Sequence, residues 1–136
     1  MRVGFYPICG DILHAGHILA IQEAVNNCDY LIVGLNTNPD GKTPVQSVLE
    51  RWIQLDAVKG INKIIPYAGK KDCELICKSL DYQVRFVGDD YLDRDWDGKE
   101  IERKRGILPY YLKRSHGWSS TELKERILKT LDFSPF

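Results

Sequence analysis

The chain predicts a three-layer α/β domain whose mostly parallel sheet, of about five strands, lies between helices. Three observations carry this expectation. An apolar run over residues 3–8, punctuated by Gly4, Pro7 and Gly10, gives way near Asp11 to apolar residues at helical spacing. Residues 30–35 form a near-continuous apolar run, the pattern of a strand covered by helices on both faces. Further apolar runs then alternate with amphipathic stretches, the order of β–α–β crossovers. Open α/β sheets bind ligands across the carboxyl edge of their strands, so the loops on that edge are the places to look for chemistry.

With 136 residues, 43% hydrophobic and 28% charged, the chain fits one compact domain spanning 1–136. Nineteen basic residues balance nineteen acidic ones, so no global charge argues for a nucleic-acid or anionic-membrane partner, and anion binding must be local. Four cysteines, no signal-peptide pattern and no apolar run near the length of a membrane span predict a reduced, cytoplasmic protein. Cys73 and Cys77 are four apart, a helix-face spacing suited to packing and poorly placed for a disulfide.

The first helix follows the first strand, carried by Leu13, Ile18, Leu19, Ile21 and Ala24, with Asp11 as the expected cap. His14 and His17, three apart, fall on one side of its first turn, where free N–H groups and the helix dipole favour anions. Imidazoles there are hydrogen-bond donors to a phosphate, and Gly16 between them lets a phosphate chain approach the backbone. Two histidines beside Cys9 and Asp11 also suggest zinc. That reading is disfavoured because a structural site needs about four ligands and the remaining cysteines fall on helix or strand-edge positions.

Residues 36–44 read as the polar loop after the second strand, with Lys42 either a point charge for a polyphosphate or an ordinary solvated lysine. Val48, Leu49, Trp52, Leu55 and Val58 predict a helix over 45–60 ended by Gly60, and a third strand follows over 61–67. Residues 72–80 predict the next helix, and 84–87 a fourth strand ending at Gly88-Asp89-Asp90, which by itself is a simple turn. Residues 92–106 are dominated by charge, with Trp96 their one aromatic residue, and predict a mobile or solvated segment holding a short helix. Tyr110-Tyr111-Leu112 reads as the last strand. Ser119 or Ser120, with Glu122 or Glu125 behind, is a capping pattern opening a final helix; hydroxyls there beside Arg114 also make a phosphate cradle. The apolar tail at 131–136 is suited to docking on the domain or on a partner subunit.

The run Asp11-Ile12-Leu13-His14-Ala15-Gly16-His17 after a first strand resembles the signature of the nucleotidyltransferase superfamily that includes the cytidylyltransferases, glycerol-3-phosphate cytidylyltransferases being the nearest members. The segment from Arg114 through Gly117 and Trp118 to Ser119-Ser120-Thr121 is similar to the same family's final motif, in the right order and spacing. Gly88-Asp89-Asp90 followed by an aromatic matches a further family segment. The chain departs from the pattern at Gly10, where an aromatic is usual, at Asn38 and Asn62, where aspartates are, and at Tyr91, where a tryptophan is.

The resemblance implies a Rossmann-like fold and in-line attack by an acceptor phosphate on the α-phosphorus of CTP, with release of pyrophosphate. It implies that His14 and His17 donate to the phosphates in the transition state, that Lys42 and Arg114 hold the β- and γ-phosphates, and that Mg²⁺ arrives on the triphosphate. Cys9, Gly10, Asp11, Gly16, Asp90, Ser119, Ser120 and Thr121 would line the nucleotide site. The acceptor would be a small phosphorylated alcohol. Residues 59–65 resemble, loosely, the family segment near the dimer contact, which implies a homodimer. An adenylyltransferase of the same superfamily, or a nucleotide-binding module without turnover, stands as the alternative. A class I aminoacyl-tRNA synthetase is set aside for want of length and of a KMSKS-like second signature. No P-loop, GxGxxG turn or GxSxG elbow is present, which disfavours kinase-like, dinucleotide and serine-hydrolase chemistry.

Overall fold

The computed structural model describes residues 1–113 and 117–131. Strands β1 (Val3–Ile8), β2 (Tyr30–Asn36), β3 (Lys63–Tyr67), β4 (Val84–Gly88) and β5 (Leu108–Leu112) form one parallel sheet in the order β3-β2-β1-β4-β5. The helices are α1 (Ala15–Val25), α2 (Val48–Asp56), α3 (Gly69–Ser79), α4 (Lys99–Lys104) and α5 (Ser120–Leu131). This is the expected three-layer, Rossmann-like arrangement, with every strand pair parallel.

Burial on both faces explains the unbroken apolar run of β2. Leu31, Val33 and Leu35 point to a core shared with Ile21 and Ala24 of α1 and Leu55 of α2, while Ile32 points the other way, to a cluster with Phe5, Tyr82 and Ile107. Gly34 is fixed by that second face: a β-carbon there would stand 2.9 Å from the Tyr67 ring and 3.1 Å from Phe5. Cys73 and Cys77 pack with Tyr67 on the inner side of α3.

The chain runs outward through β1, β2 and β3 and then returns to place β4 on the other side of β1, which creates the switch point where such sheets bind ligands. β1 and β4 pair only at Gly4↔Val84 and Phe5↔Arg85. Beyond that point they are unpaired, and Pro7, which has no N–H to give, sits in this stretch of β1. A crevice opens there.

Several boundaries differ from the sequence expectation, each for a local reason. α2 starts at Val48 rather than at 45 because Ser47 and Glu50 close a reciprocal capping box, Ser47 Oγ accepting from Glu50 N at 3.2 Å and Glu50 Oε1 from Ser47 N at 3.0 Å. It ends at Asp56 with Ala57 as its C-cap, and Gly60, with φ +90°, serves the turn that follows. α3 begins at Gly69, earlier than expected, because the Asp72 carboxylate reaches back to accept from Ala68 N at 2.9 Å.

The largest correction concerns residues 92–106. This charged segment is anchored: after a 3₁₀ turn at Asp89–Asp93, α4 carries Glu102 into the interior, where it is 2% exposed. Its carboxylate takes Arg85 Nη1 at 3.0 Å, Trp96 Nε1 at 2.8 Å and the Tyr82 hydroxyl. The charge count hid a buried carboxylate because composition does not say which charge turns inward. Among the described residues, no helix is long and apolar enough to cross a membrane.

Removing one partner of a buried ion pair leaves the other charge uncompensated. Glu102→Ala is therefore expected to lower the unfolding free energy by about 3–5 kcal/mol in urea titration. A loss under about 1 kcal/mol, the range of a surface pair, would show that this segment does not anchor the sheet.

Candidate active site

The site is built from the turn that leaves β1. Gly10 has φ +68° and Ile12 has φ +47°, so the chain enters the left-handed region twice within a few residues. Glycine takes that conformation without strain, so the usual aromatic could replace Gly10 only at a cost of about 1 kcal/mol or more in a turn of this shape. Ile12, which has a β-carbon, is held by its N–H donating to Gln46 Oε1 at 2.7 Å.

Asp11 lies between them and does not cap α1, contrary to expectation. Its carboxylate turns away from the helix and takes three donors: Val45 N at 3.0 Å, Gln46 N at 3.0 Å and Lys124 Nζ at 3.3 Å. It thereby fastens the β1 turn to the loop before α2 and to α5. Burial alone would raise its pKa, but the Gln46 and Val45 amides and the Lys124 ammonium outweigh burial and hold it below the ordinary carboxylate value.

The cap of α1 is His14, whose Nδ1 accepts from Gly16 N at 3.0 Å, while His17 Nδ1 accepts from His14 N at 3.2 Å. This reciprocal arrangement is a capping box made of two imidazoles. With both Nδ1 atoms accepting, each neutral ring carries its proton on Nε2. The rings lie with centroids 4.0 Å apart. These contacts fix which nitrogen of each neutral ring carries the proton, and Nε2 of His14 is enclosed by protein atoms.

The second corner comes from the far end of the chain. Ser119 caps α5 by accepting from Glu122 N at 3.1 Å, and Ser120 Oγ donates to the carbonyl of Asp11 at 3.0 Å. The amino ends of α1 and α5 therefore meet. Between them a crevice of about 910 Å³ is walled by Cys9, Gly10, Asp11, His14, Gly16 and His17 on one side and by Ser119, Ser120 and Thr121 on the other, with Lys42 and Asp90 also lining it. Lys42 is exposed on its loop, and Asp90 is tied to Arg94 at 2.6 Å. Arg114 lies outside the described residues. Among the described residues no group of three or more His, Cys, Asp or Glu is placed to hold a metal ion.

Sequence reasoning passed over Arg51. It is 2% exposed, and its Nη1 donates to the carbonyls of Cys9 at 2.8 Å and Asn36 at 2.7 Å, joining the carboxyl ends of β1 and β2. Among the described residues it has no carboxylate partner, so it adds an uncompensated positive charge beneath the β1 turn. A lone arginine in an amphipathic helical pattern reads as solvent-facing; the signal available was its place beside Trp52 on the apolar side of α2. Lys124 was passed over for the same reason.

Over residues 8–126 the chain matches the cytidylyltransferase-like family. It belongs to that family. The cytidylyltransferase-like domain is a nucleotidyltransferase, the enzyme class expected from the two motifs. It is 32% identical over 132 residues to the bifunctional protein HldE of Rhodopseudomonas palustris (strain HaA2), a match covering 93% of this chain and 27% of that protein. It is also 28% identical over 135 residues to the bifunctional protein HldE of Helicobacter pylori (strain Shi470), covering 95% of this chain and 28% of the relative. The chain thus spans about a quarter of the length of the curated relatives it matches. Among solved structures, the lipopolysaccharide core biosynthesis protein of Thermoplasma volcanium GSS1 shares the fold at a TM-score of 0.64 with 20% identity, over 83% of this chain and 98% of that one.

The depressed pKa of Asp11 sets a pH signature. A carboxyl whose folded pKa is lowered stabilises the fold above its unfolded value, near 3.8, and loses that contribution as pH falls through the folded value. Asp11→Asn is expected to cost about 1–3 kcal/mol at neutral pH, and the gap to wild type should close only below about pH 4 in urea titrations. A gap that closed between pH 7 and 5 would contradict the assignment.

Proposed function

We propose that the chain transfers a cytidylyl group from MgCTP to a small phosphorylated alcohol, of the glycerol-3-phosphate kind, and releases pyrophosphate. The observation that carries this reading is the meeting of two helix amino ends, one bearing paired imidazoles and the other hydroxyls, on one crevice at the sheet's switch point.

The acceptor phosphate oxygen attacks the α-phosphorus while the bond to the bridging oxygen breaks, and negative charge grows on the leaving pyrophosphate. The protein's task is to hold the partners in line and neutralise that charge. His17 donates from Nε2, the tautomer supported by its Nδ1 contact, and His14 Nε2, enclosed by protein atoms in this conformation, joins it as the site takes up the triphosphate. Ser119, Ser120, Thr121 and the free amides of α5 take the outer phosphates, Lys42 closes over them from its loop, and Arg114 provides the guanidinium. The buried charge of Arg51 stabilises the same anion from beneath the turn.

Mg²⁺ would arrive with the triphosphate and supply positive charge to its oxygens, a reading supported by the Asp11 carboxylate being engaged by three protein donors. Asp90 orders the nucleotide end. The domain acts as one unit and pairs with a second copy, supported by the exposed apolar side chains Val45, Leu49 and Ile53 around α2. The cell compartment we propose is the cytoplasm, supported by four free cysteines.

His17→Ala is expected to keep its thermal midpoint within a few degrees and to lose about a hundredfold or more in pyrophosphate release, the effect of one transition-state donor worth about 3 kcal/mol. The assay is run with CTP and, in parallel, ATP, over glycerol, choline and sugar phosphates. Near-wild-type turnover by the variant would discredit the imidazole role; turnover with ATP alone would replace cytidylyl by adenylyl transfer.

A further inference from the structure

The crevice extends past the phosphate corner to a wall lined by Tyr67, Cys73, Arg85, Trp96 and Asp97, to which neither motif contributes. Arg85 is its unusual member. On β4, next to Phe5 of β1 in register, its side chain is only 5% exposed, and the guanidinium carbon stands 5.5 Å from the centre of the Phe5 ring. Among the described residues Nη1 makes all of its hydrogen bonds: to Glu102 at 3.0 Å, to the Asp97 carbonyl at 3.3 Å and to Cys77 Sγ at 3.6 Å. Among the described residues Nε has no partner and is closed off from solvent, and Nη2 makes no hydrogen bond and is not closed off in this way.

A buried guanidinium with unused N–H groups is costly unless something accepts from them. Glu102 is not that acceptor, because Arg85 Nη1, Tyr82 and Trp96 already fill it. Nη2 belongs to a side chain that lines the crevice, where an atom of a bound molecule can accept from it.

Charge selects its kind. Glu102 cancels the charge of Arg85, and nearby Asp90, Asp95 and Asp97 line the crevice, with Arg94 set against Asp90. A second anionic group would gain little there, whereas a neutral hydroxyl oxygen accepts from a guanidinium without adding charge. Trp96 and Tyr67 supply apolar surface for a carbon skeleton.

We propose that Arg85 is an acceptor-binding residue, its Nη2 donating to a neutral hydroxyl on the body of the phosphorylated acceptor. This rests on the nucleotidyl-transfer reading above and adds to it a contact that selects hydroxylated over plain alkyl phosphates.

The test is binding of glycerol 3-phosphate, ribose 5-phosphate and propyl phosphate to the full chain saturated with a non-hydrolysable CTP analogue and Mg²⁺, measured calorimetrically for wild type and Arg85→Lys. Lysine keeps the charge opposite Glu102 and removes the fork. The wild type is expected to bind at least one of the hydroxylated phosphates about tenfold more tightly than propyl phosphate, and the variant to retain less than about twofold of that preference, with nucleotide affinity unchanged. A preference that survives in Arg85→Lys, or its absence in the wild type, would overturn the proposal. Failure to bind the nucleotide at all would instead count against the transfer reading. Should Arg85→Lys fold poorly, the Arg85 Nε–H resonance of the ¹⁵N-labelled wild type decides. It should shift with the preferred hydroxylated phosphate and stay in place with propyl phosphate; a resonance unmoved by both hydroxylated compounds would overturn the assignment.

Discussion

The site depends on one carboxylate. Asp11 stands where the first strand turns into the first helix, yet it serves neither. It accepts from two backbone amides of the loop before α2 and from a lysine of α5, and so holds three separate parts of the chain at fixed distances around a single point. A carboxylate that accepts several hydrogen bonds in a partly desolvated place favours its ionised form, and that preference is itself stability. The consequence reaches the chemistry. With the turn fixed in its left-handed conformations, His14 and His17 are free to cap their own helix, and their Nε2 protons follow from that cap.

Two buried arginines, Arg85 lining the crevice and Arg51 behind the turn that leaves β1, follow opposite strategies. Arg51 has no acidic partner among the described residues and spends its hydrogen bonds on the carbonyl ends of β1 and β2, so no carboxylate compensates its positive charge. Arg85 is neutralised by Glu102, and what it offers is direction without net charge. On the proposed reading, one part of the crevice takes the polyphosphate and the other a neutral, hydroxylated body. Parallel pairing of β1 with β4 for only two residues leaves the opening in which both can act.

Most of the architecture was legible in the sequence because it follows from local pattern. The unbroken apolar run of β2 announces burial on both faces, and the alternation of runs and amphipathic stretches announces parallel crossovers. The two helix amino ends that meet on the crevice were legible as motifs. The partnerships that hold them were not. Asp11 meets Val45, Gln46 and Lys124 across 34, 35 and 113 residues, and no periodicity reports contacts so distant. The same limit explains residues 92–106, where Glu102 is indistinguishable by composition from its solvated neighbours, and Arg51, whose place in an amphipathic pattern gives no sign of the carbonyls it joins. Arg114, the cation expected beside the final motif, lies outside the described residues.

The central claim is that the amino ends of α1 and α5 bind one and the same triphosphate. The most direct test is a ¹H–¹⁵N titration of the labelled chain with MgCTP, following the amides of Gly16 and His17 together with those of Ser120 and Thr121. Both groups should move along one saturation curve with a single dissociation constant. Movement of one group while the other stays still, or two curves with different midpoints, would contradict the claim.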